Sequence, residues 1–396
     1  MKKVVLAYSG GLDTSYCLKY LQDQGYEVHT VLINTGGFDA AELQAIETRA
    51  YELGSAKHAN LDIVEKYYEK AIKYLIFGNV LRNNTYPLSV SAERVFQALE
   101  VIKYAKENGA IAIAHGSTGA GNDQIRFDLI FQTIAPEIEI ITPIRDLKLS
   151  RQEEVAYLQS KGVNYSWEKA QYSINKGIWG TSVGGKETLT SDQPLPSEAY
   201  PSQLQKEGSE KVRLTFKNGE LVAFNGVANT PTQNIIALEN IASQYAIGRD
   251  VHVGDTIIGI KGRVGFEAAA PLIIIKAHHL LEKHTLSKWQ LHWKQSLADF
   301  YGMLFHEGQF LDPIMRNIED FLQSTQTSVT GDVIVTLQPY HFSLDGIESE
   351  FDLMNSEFGQ YGEMNNAWTA DDAKGFIKIL GNAQKIYSNV NKLKYD

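Results

Sequence analysis

The stretch Ala7-Tyr8-Ser9-Gly10-Gly11-Leu12-Asp13-Thr14-Ser15 constrains the fold of this chain more than any other. It follows an apolar run, Val4-Val5-Leu6-Ala7, that reads as a buried strand, and it precedes Tyr16-Cys17-Leu18-Lys19-Tyr20-Leu21, whose apolar residues recur at helical spacing. The motif therefore falls on a strand-to-helix turn. Its two glycines let the backbone take φ/ψ values that other residues avoid and let a ligand come close, while the helix start aims unpaired N–H groups at whatever binds. A phosphate is the natural guest. Ser9, Thr14 and Ser15 add hydroxyl donors, and Asp13 can orient the loop or a metal ion. The competing reading is a plain tight turn with a helix capped by Asp13 or Thr14.

The same grammar continues to about residue 165. Val28 to Ile33 reads as a second strand ending at Asn34-Thr35-Gly36-Gly37, Ala40 to Leu53 as a helix, Ala56 to Leu61 as a strand, and Asp62 caps a helix through Leu75. A turn around Tyr86-Pro87 leads to a helix from Ala92 to Asn108. The strand Ala110 to Ala114 then opens into His115-Gly116-Ser117-Thr118-Gly119-Ala120-Gly121-Asn122-Asp123-Gln124, before a helix from Ile125 to Ala135. This second loop repeats the layout of the first. Ile138 to Thr142 is a further strand, and Ser150-Arg151-Gln152-Glu153 is a capping box. Strands alternating with helices predict a doubly wound α/β domain with a parallel sheet, and ligands of such sheets bind beyond the strand C-termini, where both loops lie.

The texture changes after a boundary near 165. Tyr172 to Tyr200, rich in Gly, Ser and Thr, reads as an extended excursion across a surface or active site. Lys211 to Lys217, Asn218-Gly219 and Leu221 to Phe224 form a hairpin. A helix is expected from Thr232 to Ala246, and strands at Val333 to Leu337 and Tyr340 to Leu344. The middle of the chain, 166–368, is thus an α+β domain. The tail, 369–396, is an amphipathic helix with Phe376, Ile377, Leu380, Ala383 and Ile386 on one face, suited to packing on its own domain or on a neighbouring subunit. Trp289 and Trp293 are expected to form a packed helix face, and the His278-His279 pair lacks the further ligands of a metal site.

Composition narrows the classes of function. A formal net charge of −10 disfavours general nucleic-acid binding, which needs clustered Lys and Arg. A single cysteine, Cys17, excludes an internal disulfide and a cysteine metal cluster. Met1-Lys2-Lys3 runs straight into strand and motif, and no apolar run reaches membrane-spanning length, so a cytoplasmic protein without membrane partners is expected.

The opening Ser-Gly-Gly-x-Asp-x-Ser run resembles the pyrophosphate-binding loop of the N-type ATP pyrophosphatases, which implies an adenine nucleotide alpha hydrolase-like fold for residues 1–165. His115 to Phe127 is similar to the signature of the argininosuccinate synthases. Tyr86 and Ser91 fall at that family's citrulline-binding spacing, and Ser173 and Ser182 match its serine pair. The resemblance implies an ATP-dependent C–N ligase of arginine biosynthesis that condenses citrulline with aspartate through a citrullyl-adenylate, releasing AMP and pyrophosphate, with ATP as co-substrate and Mg²⁺ as its companion. It also implies a synthetase domain over 166–368 and a homotetramer. Carried over residue by residue, Ala7 to Ser15, Ile33 and Gly116 would hold ATP; Thr118, Asn122 and Asp123 would hold aspartate; and Tyr86, Ser91, Asn122, Arg126, Ser173 and Ser182 would hold citrulline. Ser9, Asp13 and Asp123 would serve the chemistry.

Three positions depart from that pattern. Ala120 stands where the family's second loop has Lys, and Gly254 and Phe266 stand where it carries a citrulline-binding Glu and Tyr. Asp255 and Glu267 are the carboxylates able to replace the Glu. An acylated citrulline is the alternative substrate, since an acyl group removes the charge that the Glu met. A tRNA-modifying enzyme on the same nucleotide fold would need paired cysteines, and a non-catalytic nucleotide sensor would not need the second polar loop.

Overall fold

The structure, a computed structural model, describes residues 2–165, 172–356, 358–359, 361–363 and 367–393. Five parallel strands and the helices between them form its first part. In chain order these are β1 (Lys2–Ala7), α1 (Leu12–Asp23), β2 (Tyr26–Asn34), α2 (Ala40–Glu52), β3 (Lys57–Asp62), α3 (Val64–Tyr67), α4 (Lys73–Phe77), α5 (Ser91–Glu107), β4 (Ala112–Ala114), α6 (Asp123–Ile134), β5 (Glu139–Ile141), α7 (Pro143–Leu147) and α8 (Arg151–Ser160). The sheet runs β3-β2-β1-β4-β5. Alternate residues of its strands face opposite sides. Val5, Val31 and Ile113 therefore pack against α5, while Val4, Leu6 and Leu32 pack against α1 and α8. The order of strands reverses between β1 and β4, which leaves a crevice at their C-terminal ends.

Several expected boundaries shift for identifiable reasons. The helix anticipated from Asp62 to Leu75 is interrupted by a π-helical turn, Tyr68–Ile72, between α3 and α4, although Asp62 does accept the Val64 N–H at 3.0 Å. The capping box at Ser150 forms with both of its hydrogen bonds.

The Tyr172 to Tyr200 excursion is more regular than its composition suggested. β6 (Ser173–Gly177) and β7 (Gly180–Gly184) make an antiparallel hairpin. Next come β8 (Glu210–Lys217), β9 (Glu220–Phe224), β10 (Val227–Ala228), α9 (Pro231–Ala242), β11 (Arg249–Asp255), β12 (Lys261–Glu267), α10 (Ala269–Thr285), α11 (Lys288–His306), α12 (Pro313–Ser324), β13 (Gly331–Gln338) and β14 (His341–Glu348). Two antiparallel sheets result, β10-β9-β8-β13-β14 and β11-β12-β7-β6. The helix expected to reach Ala246 stops at Ala242 and tightens into a 3₁₀ turn, ending where Ala246 takes φ +52°.

Trp289 and Trp293 do not form a packed face. They are 64% and 58% exposed, because α11 packs instead through Ala298, Tyr301, Leu304 and Phe305. His278 is fully buried, with Nδ1 2.7 Å from Asn79 Oδ1 and Nε2 2.8 Å from Gln326 Oε1.

Contacts divide the chain into one compact unit ending at Phe351 and a second beginning at Asp352. The second contains α13 (Ala370–Leu380) and α14 (Asn382–Asn391), so the anticipated tail helix is two helices that meet at Gly381. No helix among the described residues is long and apolar enough to cross a membrane.

Candidate active site

The crevice between β1 and β4 opens into a cleft of about 990 Å³. That volume lies at the upper end for one small-molecule site and leaves room for a nucleotide beside further ligands. Its first wall is the loop after β1. Gly10 takes φ +74°, a left-handed conformation, and a Cβ there would stand 3.1 Å from Ile46. Gly11, by contrast, is ordinarily extended at φ −77°, so only one of the two glycines is required by backbone conformation. Arg49 of α2 braces the turn by donating to the Gly10 carbonyl at 2.6 Å. No side chain among the described residues caps α1, which removes the capped-helix reading of Asp13 and Thr14 and leaves the first N–H groups of the helix aimed into the cleft.

The second wall is the loop after β4. The Ser117 N–H donates to His115 Nδ1 at 3.2 Å, so His115 carries its proton on Nε2 and donates it to Asp128 at 2.9 Å. Gly116 lies where the two loops touch: a Cβ there would stand 3.2 Å from that of Asp13. α6 also starts without a side-chain cap, because the Asn122 carboxamide instead accepts the Ile257 N–H at 3.0 Å.

The floor is a charge network between α5 and α6. Arg94 donates through Nε to Asp123 at 2.9 Å and through its two terminal nitrogens to Glu93 at 3.0 Å, Gln97 at 2.9 Å and Asn175 at 3.0 Å. Arg126 donates to Asp123 at 2.8 Å and to the His306 carbonyl at 2.9 Å. Burial works to raise the Asp123 carboxyl, but Arg94 and Arg126 overcome it and hold it at about 2. Glu93 is 1% exposed, and burial pushes it up to about 7 although Arg94 and the Thr35 hydroxyl, donating at 2.6 Å, oppose the shift. Burial, reinforced by Arg126, brings His306 down to about 3, so its ring is neutral.

The far side is the β6–β7 hairpin. Its tip is held by the Ile178 N–H on Thr35 O at 2.9 Å and by Trp179 Nε1 on Pro87 O at 2.9 Å. Ser182 stands opposite both Asn175 and Phe266 in the register. Tyr86 stacks on His252 with centroids 5.2 Å apart, and its hydroxyl accepts the Val90 N–H at 3.1 Å.

Almost all the expected site residues meet here: Ala7, Tyr8, Ser9, Gly11, Leu12, Asp13, Thr14, Ile33, Gly116, Tyr86, Ser91, Thr118, Asn122, Asp123, Arg126, Ser173 and Ser182 all line the cleft. Gly10 and Ser15 do not; both are buried, and Ser15 turns into the protein rather than offering its hydroxyl. Phe266 lies beneath Tyr86 without lining the cleft, and Ala120 is exposed outside it. Glu267 cannot replace a lost carboxylate, since it is buried away from the cleft, accepts from Arg249 at 3.0 Å and binds the Ser202 N–H. Asp255 does line the cleft but is paired with Lys261 at 2.5 Å.

Thr35, from the loop after β2, lines the cleft, as do Glu93, Arg94, Asn175, His252 and His306, which sequence reasoning passed over. For Arg94 a signal existed, because it follows Ser91 by three positions and so shares its helix face. Cys17 is buried with its thiol pushed far up by burial, which leaves no accessible thiolate for sulfur chemistry.

Two family models match the chain: the arginosuccinate synthase N-terminal HUP domain over residues 3–164 and the arginosuccinate synthase C-terminal domain over residues 172–387. Curated proteins named argininosuccinate synthase are similar along their whole length. The one from Xanthomonas campestris is 36% identical, with 99% of each chain covered. That from Dictyoglomus thermophilum is 36% identical with 98% of each covered, and that from Methanocaldococcus jannaschii is 36% identical with 98% of this chain and 99% of the relative covered. With a parallel nucleotide-type sheet, two polar loops at its switch point and a full-length match in sequence, the chain belongs to the argininosuccinate synthase family.

Proposed function

We propose that the cleft joins aspartate to a citrulline-type ureido group at the expense of ATP, releasing AMP and pyrophosphate, as a step of arginine biosynthesis. The observation that carries this reading is the meeting of two uncapped helix starts, α1 and α6, at the β1/β4 crevice, directly beside a floor of paired Arg and Asp side chains. Helix starts suit phosphates; fixed guanidinium groups suit carboxylates.

The ureido oxygen is a poor leaving group. Its attack on the α-phosphorus expels pyrophosphate and converts it into the oxygen of AMP. The aspartate amine then attacks the ureido carbon, AMP departs, and a phosphate oxygen takes the amine proton. Ser9, Thr14 and the N–H groups of the α1 start hold the β and γ phosphates, with Ile33 beside the adenine and Gly116 closing the loop over the nucleotide. Thr118, Asn122 and Asp123 receive aspartate. Tyr86, Ser91, Arg126, Ser173 and Ser182 receive the ureido substrate. Because Arg94 and Arg126 fix Asp123 before anything binds, its orientation costs nothing at the moment of reaction.

Asp13 lines the cleft beside the uncapped start of α1 and is the hard oxygen donor that would hold Mg²⁺; Glu154 lies outside the cleft lining, and burial and its neighbour Asp13 push its carboxyl up to about 8. When bound, the ion would spread the charge of the departing pyrophosphate. The reading extends to a cytoplasmic homotetramer, supported by the apolar face of α13 and α14, where Phe376, Ile377, Ile379, Leu380, Ile386, Tyr387 and Val390 are each more than 60% exposed. Incubation with ATP, Mg²⁺, aspartate and a citrulline should release AMP and pyrophosphate in equal amounts. Pyrophosphate release that needs tRNA, or no release at all, overturns it.

A further inference from the structure

The end of the cleft beyond Arg126 is built from aromatic rings and cations. His252 is 5% exposed and lines the cleft, stacked on Tyr86 and edge-on to His306 at 6.1 Å. Its Nδ1 is buried and makes no hydrogen bond among the described residues. Nδ1 is closed off by protein atoms, whereas Nε2 faces the space beside Gly254, 2.8 Å from where a Cβ would stand, and is the ring atom a ligand can reach. Burial, helped by Arg82, lowers the His252 imidazole, so the ring is neutral near pH 7 and presents one N–H.

Guanidinium groups supply the positive charge at this end. Arg82 and Arg126 both act on His306, and Arg82 acts on His252. The carboxylates nearby are already taken: Asp123 by Arg94 and Arg126, Asp255 by Lys261, and Glu267 by Arg249 outside the cleft. An ammonium group placed here would meet guanidinium charge and neutral imidazoles, and the carboxylates that line this end already face cations. Gly254 keeps the arrangement open. A Cβ at that position would stand 2.8 Å from His252 Nε2 and 3.2 Å from Asn83 Nδ2, so a side chain would displace the imidazole or close the space beside it.

We propose that the ureido substrate enters with its α-nitrogen acylated, the acyl carbonyl accepting the His252 Nε2–H and the acyl chain lying over Gly254. The inference rests on the reading of the cleft as an aspartate–citrulline ligase. Acylation turns the α-ammonium into a neutral amide, which needs no carboxylate. An acyl chain ending in its own carboxylate would meet the positive potential that Arg82 and Arg126 set up at this end. The acyl group is a spectator, its amide bond neither made nor broken, so the product retains it and an amide-hydrolysing reaction must follow before a free amino acid is released.

The test uses the full-length protein with ATP, Mg²⁺ and aspartate, and compares citrulline, Nα-acetylcitrulline and Nα-succinylcitrulline by pyrophosphate release and by the mass of the condensed product. The expected result is a kcat/KM for one or both acylated substrates at least about tenfold above that of citrulline. A succinyl preference assigns the dicarboxylic acyl class; equal rates with both acyl groups assign the amide alone. His252→Ala should lower the acylated-to-free ratio of kcat/KM about tenfold, and His252→Gln, whose amide nitrogen takes the place of the ring Nε2, should restore it. A kcat/KM for free citrulline equal to or above both acylated substrates overturns this inference and leaves the ligase reading standing. A ratio unmoved by His252→Ala overturns it too. Absence of pyrophosphate with all three substrates overturns both.

Discussion

Replacing Glu93 with Gln isolates one ionisation at the floor of the cleft. Glu93 is 1% exposed, and its carboxyl titrates at about 7 rather than 4.5 because burial disfavours its charge more than Arg94 and Thr35 favour it. Between those two values the unfolded chain has released the proton while the folded protein still holds it. Stability therefore falls as pH rises from 4.5 to about 7 and is flat above that. A shift of ~2.5 units at 1.36 kcal/mol each makes the loss about 3 kcal/mol. Gln has the same shape and cannot ionise, so the variant lacks this loss, although it also loses the attraction between Glu93 and Arg94. Urea unfolding at fixed protein concentration, repeated from pH 4.5 to 8 and read as wild type minus Glu93→Gln, cancels the other titrating groups. The difference should move by about 3 kcal/mol in favour of the variant as pH rises. Curves that stay parallel to within about 0.5 kcal/mol would refute the burial argument.

Two further outcomes follow from the same geometry. Arg94→Lys keeps the charge but cannot reach Asp123, Glu93, Gln97 and Asn175 together, so kcat/KM for pyrophosphate release should fall about a hundredfold, and a loss of threefold or less would show that the fork does not position Asp123. Deleting the chain after Ala370 removes the exposed apolar face of α13 and α14 and should lower the mass seen by light scattering to that of smaller species; an unchanged mass sinks the tail's role in assembly.

The parts of this molecule that were legible in the sequence are those whose cause is local. The strand–loop–helix at Ser9 to Ser15 could be read because a buried strand, a glycine with positive φ and a helix start all fall within one short stretch. The Asn218-Gly219 hairpin could be read for the same reason, with Asn218 at φ +50° and Gly219 at φ +81°. β6 and β7 were missed because Ser173-Ile174-Asn175-Lys176-Gly177 has little intrinsic strand preference; its order comes from pairing with β7, which in turn pairs with β12 far along the chain. The Arg94–Asp123 and His252–His306 pairs join residues that are distant in sequence, so no spacing rule finds those contacts, whereas Asp123 and Arg126 are three apart on one helix. Trp289 and Trp293 were placed on a buried face because aromatic residues four apart usually mark one, whereas α11 buries Tyr301 and Phe305 instead.

Whether the cleft activates the ureido oxygen is decided by a heavy-oxygen label at that atom. With ATP, Mg²⁺, aspartate and whichever citrulline derivative supports turnover, mass spectrometry of the AMP should show one labelled oxygen for each condensed product, because the ureido oxygen leaves as a phosphate oxygen. Unlabelled AMP, with the label found instead in pyrophosphate or in water, would contradict an adenylate formed on the substrate in this cleft.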